Sequence, residues 1–319
     1  MRVSMADVAA AAGVSAQTVS RVANGSPRVD PATRARVEAA MSDLGYRMHR
    51  AARALRTGQT STIGLVVSTL ASVGNSRMLQ AISEAAAARD YALAVVTVGE
   101  RGIRDAFARL RAQGVDGAVV LNEATELVRD IDPPGDLHLV VVDSPPDERF
   151  SIVQTDHAGG ARLATEHLLA LGHPTVHHIA GPARSFAAAE RERGWRAALS
   201  DAGVTAPEPV RGDWTSASGH SAVAALTGAT AVFVANDQMA LGALRAFADA
   251  GRRVPDDVAV VGFDDIVDAA EYRPPLTTVR QDFDALGRDA VTALIAAIEG
   301  GVPVAQTVPA TLVVRASAR

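Results

Sequence analysis

At 319 residues the chain is long enough for two or three domains, and 48% hydrophobic residues supply a sizeable core without any apolar run of about eighteen residues that could cross a membrane. Zero cysteines exclude disulfides and thiolate metal sites, and no signal-peptide-like stretch opens the chain, so the expected location is the cytoplasm, at the nucleoid. The net charge of −5 is uneven: residues 1–58 hold nine Arg against four acidic residues (+5), and the remainder holds 22 basic against 32 acidic (−10). A basic head on an acidic body is the footprint of a nucleic-acid-binding module joined to something else. All 31 basic residues are Arg, so Arg abundance alone argues little.

Residues 5–24, MADVAAAAGVSAQTVSRVAN, have the form helix, tight turn, helix. Ala6, Val8, Ala9 and Ala12 give the first helix an apolar face, Gly13 permits the turn, and Ser15 caps the second helix. In that helix Gln17 and Arg21 stand at i and i+4 and share a face. Glutamine pairs bidentately with adenine and arginine with guanine in the major groove, which makes this a recognition helix rather than an Ala-rich hairpin of some larger core. A third helix follows, with Asp30 as cap, Pro31 in the first position and Gly45 as stop. Its Val37, Ala40, Met41 and Leu44 are expected to close a core with Val8, Val19 and Val22, so that residues 1–46 form an all-α head.

Residues 47–61 are polar and basic around one large apolar residue, Leu55. So short a helix is unstable alone, which allows a plain linker. Its position behind a DNA-reading head favours a hinge helix that wedges Leu55 into the minor groove, with Arg50, Arg53 and Arg56 near phosphates.

From Ile63 onward, apolar runs (IGLVV, LAVVTV, GAVVL, LVVVD, VHHIAG, AVFVAND, VAVVGFDD) alternate with helical segments such as 76–89, 105–113, 158–171 and 187–202. That alternation implies an α/β core of parallel sheets covered on both faces, with ligands at the carboxyl ends of the strands. Polar residues end three of the runs: Asp143, then Asn236 and Asp237, then Asp264 and Asp265. No phosphate-binding glycine loop opens a helix, so no nucleotide or other cofactor is expected. His173, His177 and His178 fall around a proline and along a strand, where neighbours face opposite sides, so no metal site is expected. The paired acids could suggest a glycosidase, but nothing positions a proton donor against a leaving group, and the chain is read as a non-enzyme.

The stretches DVA..AGVS.QTVSRV.N, TR..VEAAM..LGY, EHL.ALGH, AGP, GDW, VANDQMALGA, VG.DD and PPLTT..QDF..LG, in this order, resemble the LacI family of bacterial transcription repressors over nearly the whole chain. The resemblance implies a helix-turn-helix head, a hinge, and a core (62–319) of two subdomains like periplasmic sugar-binding proteins. The subdomains are expected at about 62–155 with 281–310, and 156–280 with 311–319, with three crossings of the chain between them. It also implies a homodimer on a pseudo-palindromic double-stranded DNA operator, no membrane partner, and a sugar effector in the cleft. No leucine heptads follow TLVVR, which favours a dimer over a tetramer.

By motif position the implied effector residues are Arg191, whose fork can hold two hydroxyls, Trp214 as a stacking face, and Asn236 and Asp264 at strand ends. Asp143, Gln281 and Phe283 are carried over with them, and Trp195 is expected to be core. The chain departs from the family's galactoside-binding pattern at 71–78, at Ala187, where a serine is expected, and at Leu121, where an asparagine is expected, with Asn122 one residue late. On the DNA side Gln17 and Arg21 match base-reading positions, while Ala16 replaces a larger residue and offers only a methyl contact. Thr18, Ser20 and Asn24 are expected on phosphates. The functional expectation is a repressor of sugar-utilisation genes released by a sugar, a galactoside being favoured. The alternatives are another saccharide or a corepressor and, more distantly, a sugar-transport protein or a glycosidase.

Overall fold

A computed structural model describes residues 3–23, 26–46, 59–121, 123–129, 131–132, 135 and 137–319. The chain separates into two compact units, Met1–Ser61 and Thr62–Arg319.

The first unit holds three helices, α1 (Met5–Ala12), α2 (Ala16–Ala23) and α3 (Pro31–Asp43). Each start is fixed by a short polar side chain. Ser4 and Asp7 form a reciprocal capping box on α1, the Ser15 hydroxyl accepts from the Thr18 amide at 3.1 Å, and Asp30 accepts from the Ala32 and Thr33 amides at 3.0 and 3.1 Å. Gly13 ends α1 at φ +64°, a left-handed conformation that glycine adopts without steric cost. Val8, Val19 and Val37 are fully buried, each contributing roughly 1.5–3 kcal/mol relative to exposure. Two details differ from the sequence reading. Ala6 is exposed, and Met5 packs against the core instead. Leu44 lies just past the end of α3 and is 37% exposed, so Met41 and Tyr46 close that side of the core. The segment carrying Arg50, Arg53, Leu55 and Arg56 lies outside the described residues, as does Asn24.

The second unit opens with β1 (Thr62–Val67), α4 (Val73–Ala87), β2 (Ala92–Thr97), α5 (Gly102–Ala112), β3 (Gly117–Leu121), α6 (Glu123–Arg129), β4 (His138–Val142) and β5 (Ser151–Thr155). It continues with α7 (His157–Ala170), β6 (His177–Ala180), α8 (Phe186–Asp201), β7 (Val210–Arg211), α9 (Ser216–Ala222), β8 (Ala231–Val234), α10 (Asp237–Asp249), β9 (Ala259–Asp264) and β10 (Thr277–Arg280). The last elements are α11 (Phe283–Ile298), β11 (Ala305–Val308) and β12 (Thr311–Val313). They form two six-stranded sheets, ordered β11-β5-β4-β3-β1-β2 and β12-β10-β9-β8-β6-β7, parallel except for the antiparallel β10–β12 pair. The chain therefore crosses between the two layers three times: after β5, after β10 and after β11.

Alternation along each strand explains the continuous apolar runs. Ile63 and Leu65 of β1 face a core shared with α4 and α11, while Val66 faces the opposite core with Phe107 and Leu110 of α5. In β8, Val232 and Val234 face α10, and Phe233 faces the core containing Leu168 and Trp195. Among the described residues no helix is long and apolar enough to cross a membrane.

Candidate functional site

One cleft, enclosing roughly 550 Å³ with its open mouth, is lined by Asp143, Arg191, Trp214, Asn236, Asp264, Gln281 and Phe283, all seven residues singled out from the sequence. A concave lining with a few convergent polar groups is typical of a small-molecule site. Asp143 follows β4 and Phe283 opens α11, both on the first layer; Arg191 comes from α8, and Asn236 and Asp264 from the ends of β8 and β9 on the second. Gln281 stands on the second crossing. Ser72, Ser185 and Asn236, the caps of α4, α8 and α10, also line the cleft, so three helix N-termini present their positive ends to it.

The charged groups are almost fully desolvated: Arg191 is 4% exposed, Asp143 6% and Asp264 7%. The Arg191 Nη1 donates to the Ala235 carbonyl, its Nη2 lies 3.5 Å from Asp264 Oδ1, and its guanidinium carbon is 3.8 Å from the Phe263 ring centroid and 5.5 Å from that of Trp214. Gln281 joins the layers, accepting from the Thr155 hydroxyl at 2.7 Å and donating to Asp264 Oδ1 at 2.6 Å. Burial pulls the Arg191 guanidinium down, opposed by Asp264 and Asp143. It pushes the Asp264 carboxyl up, opposed by Arg191 and by the Gln281 hydrogen bond. Behind the cleft, fully buried Asp237 is pushed well above the usual carboxylate range, first by burial and then by the like charge of Asp264. It is held by the Thr278 hydroxyl at 2.6 Å and the Ile266 amide at 2.9 Å.

The backbone at the cleft is unusual. Asp143, Trp214 and Asp264 have φ of +59°, +75° and +116°, a region that favours glycine and costs a non-glycine residue about 1–3 kcal/mol. Such strain persists only where surrounding contacts hold it, and it aims these side chains into the cleft. Trp214 lies over Gly181, where an added Cβ would come within 2.3 Å of the indole. The Asn236 Oδ1 accepts from the Met239 amide at 2.9 Å and its Nδ2 donates to the Trp214 carbonyl at 3.2 Å. Asn236 thus caps a helix, fixes the indole's backbone and lines the cleft at once.

Sequence reasoning missed His157. It is 2% exposed; its Nδ1 accepts from Arg191 Nε at 3.3 Å, and its Nε2 lies 2.8 Å from Asp143 Oδ1. Its one sequence signal was the preceding Asp156, which caps α7 and so places His157 in the first turn, at the crossing between layers. Trp195 is core, fully buried and donating to the Val176 carbonyl at 2.9 Å. His178 stacks on Phe233 at 4.7 Å and donates from Nδ1 to its carbonyl at 3.0 Å; burial pulls its imidazole down to about 4. His177 is only half-buried, on the opposite side of the strand. Ala187 lines the cleft, Leu121 is buried in the first-layer core, and Asn122 lies outside the described residues.

In the first unit Ala16, Gln17 and Arg21 are exposed, with Gln17 and Arg21 one turn apart on α2. Thr18 and Ser20 are half-buried, and the Thr18 hydroxyl lies 3.0 Å from that of Ser15. The outer face of α2 thus presents a short amide–guanidinium pair around a methyl group.

Residues 4–48 match the family of bacterial regulatory proteins named for lacI, and residues 165–318 match a periplasmic-binding-protein-like domain. The chain is 38% identical to the lactose operon repressor of Escherichia coli (strain K12) over 327 residues, 98% of this chain and 90% of the relative. A Lac repressor dimer bound to operator and the anti-inducer ONPF superposes with a TM-score of 0.84 at 35% identity, covering 100% of this chain and 99% of the other. The complex of the transcriptional regulator CelR with cellobiose superposes with a TM-score of 0.76 at 36% identity, covering 99% and 100%; CelR of Thermobifida fusca is 39% identical over 311 residues, 92% of this chain and 91% of the relative.

Proposed function

This chain belongs to the LacI family of bacterial transcription regulators, and on that premise we propose that it represses sugar-utilisation genes and is released from its operator by an uncharged glycoside in the cleft. The observation that carries the reading is the cleft itself: a desolvated Arg191 fork flanked by Asp143, Asp264, Asn236 and Gln281, opposite a Trp214 face. Planar polar groups read vicinal hydroxyls while an indole covers the apolar side of a pyranose ring. The charged side chains of the lining are two carboxylates and one guanidinium, so a phosphate group would meet one side-chain cation, already engaged by Asp264, besides the helix N-termini.

The protein acts as a homodimer on a pseudo-palindromic duplex in the cytoplasm. Gln17 and Arg21 read base edges, Ala16 offers a methyl contact, and Thr18, Ser20 and Asn24 position the head on phosphates. Residues 47–61 form the hinge, with Leu55 in the minor groove and Arg50, Arg53 and Arg56 along the backbone. The retained Arg191, Trp214, Asn236 and Asp264 favour a galactoside, as for the lactose operon repressor. The departures at Ala187 and Leu121 leave another glycoside or oligosaccharide open, and cellobiose, the sugar in the CelR complex, is the second candidate.

Calorimetry with lactose, cellobiose, ribose and glucose 6-phosphate separates these readings. The expected result is binding of one of the two disaccharides and no binding of the phosphate ester. Preferred binding of the phosphate ester would reject the cleft assignment. Arg191→Ala should abolish sugar binding and leave operator binding intact, whereas parallel loss of both would make Arg191 a structural residue.

A further inference from the structure

His157 touches both charged walls of the cleft without lining it. Its ring lies in the first turn of α7, 5.9 Å from the Phe263 centroid, with Arg191 Nε donating to Nδ1 at 3.3 Å and Asp143 Oδ1 2.8 Å from Nε2. Asp143 belongs to the first layer and Arg191 to the second, so one imidazole spans the two halves at the cleft floor. An Nδ1 that accepts from a guanidinium carries no proton, so the proton of the neutral ring lies on Nε2, 2.8 Å from the carboxylate but not aligned on it as a hydrogen bond.

We infer that His157 is a positioning residue of the cleft: as its Nε2–H tautomer it holds the Asp143 carboxylate and the Arg191 fork in register, so that both engage the same ligand. The inference rests on the cleft being the glycoside site. The position needs a group that accepts from a cation on one side and donates to an anion on the other, without water. A carboxylate there would repel Asp143 and an ammonium would repel Arg191. A phenyl ring would leave two buried charges short of a partner, which is costly for each. A neutral imidazole accepts from Arg191 at Nδ1 and sets a polar N–H against Asp143 at Nε2, a contact that a small rotation of the ring turns into a hydrogen bond. Asp143 also accepts from the Thr155 amide at 3.3 Å, and the Thr155 hydroxyl donates to Gln281 at 2.7 Å, so the same floor continues to the second crossing.

Two measurements test this. Nitrogen-15 spectra of the sugar-free protein should show His157 as the Nε2–H tautomer; a proton on Nδ1 overturns the inference, whatever the ligand. The second is a double-mutant cycle of His157→Asn with Asp143→Asn, read by calorimetry with whichever of lactose and cellobiose the wild type binds. Asparagine keeps an acceptor toward Arg191 but cannot reach Asp143. His157→Asn should weaken sugar binding by about tenfold to a hundredfold. Its sugar-free operator affinity should stay unchanged, and its Tm should fall modestly because the buried Asp143 carboxylate loses a partner. The double variant should bind no more weakly than the weaker single variant, because both remove the same link. Additive losses, or operator affinity falling in step, would assign His157 to packing and overturn the proposal. If the wild type binds neither sugar, the glycoside reading fails, and the tautomer still decides whether the bridge exists.

Discussion

His178 shows what burial does to one titratable side chain. The unfolded imidazole titrates near 6.5 and the folded one near 4, so between these values the unfolded chain holds a proton that the folded chain lacks. Its contribution is therefore fully present above about pH 6.5 and is lost as pH falls through 4, up to roughly 3 kcal/mol. Asp237 has the opposite sign, since its folded pKa is raised and acid relieves its burial. Comparison with a variant isolates the histidine: Tm of the wild type should drop more steeply between pH 7 and 5 than that of His178→Gln, and equal slopes would contradict the assignment. Gly181 is a second residue-scale test. Gly181→Ala places a methyl group where the Trp214 indole lies, so sugar binding should fall at least tenfold while far-UV circular dichroism is unchanged. The cleft residues were legible one by one because each sits in a family motif, Asp143, Asn236 and Asp264 at strand ends and Arg191 within α8. His157 was not, because a histidine after an aspartate cap carries no signal until the two layers come together around it.

At the scale of elements, the strands with long apolar runs were legible because both faces of a parallel sheet are covered. Five strands were not: Ser151–Thr155, Val210–Arg211, Thr277–Arg280, Ala305–Val308 and Thr311–Val313. They are short and rich in Ser, Thr, Gln and Arg, and Ala305, Gln306 and Thr307 in β11 are exposed, so nothing in hydropathy separates them from loops. Thr277 and Thr278 are fully buried, which tertiary hydrogen bonds to Ser317, Arg315 and Asp237 make tolerable. The start of α10 separates capping from recognition. Asn236→Ser keeps an oxygen for the Met239 amide, so stability to urea should change by less than about 0.5 kcal/mol, whereas Asn236→Ala should lose about 0.5–2 kcal/mol. Both lack the amide donor to the Trp214 carbonyl, so both should bind sugar more weakly; full binding by Asn236→Ser would reduce Asn236 to a cap. On α2, duplexes selected from a random pool should have two-fold related halves. Arg21→Ala or Gln17→Ala should relax one base position by about 1–3 kcal/mol without abolishing binding.

At the scale of the molecule, a basic helical head and an acidic two-layer core make sense as output and input of one switch. The cleft is built from both layers, with Asp143 and Phe283 on one and Arg191, Trp214, Asn236 and Asp264 on the other, joined through Gln281 and His157. A ligand that engages both layers must favour one arrangement of them over the other, and only that difference in affinity can move the equilibrium. The sign of the coupling was not legible in the sequence, because the same cleft can favour either arrangement. Since coupling between sites is reciprocal, the direct measurement is operator affinity with and without saturating disaccharide, together with disaccharide affinity with and without operator duplex. Each ligand should weaken the other by the same factor, of at least about fivefold. Operator binding that tightens, or is unchanged, when the cleft is filled would contradict it.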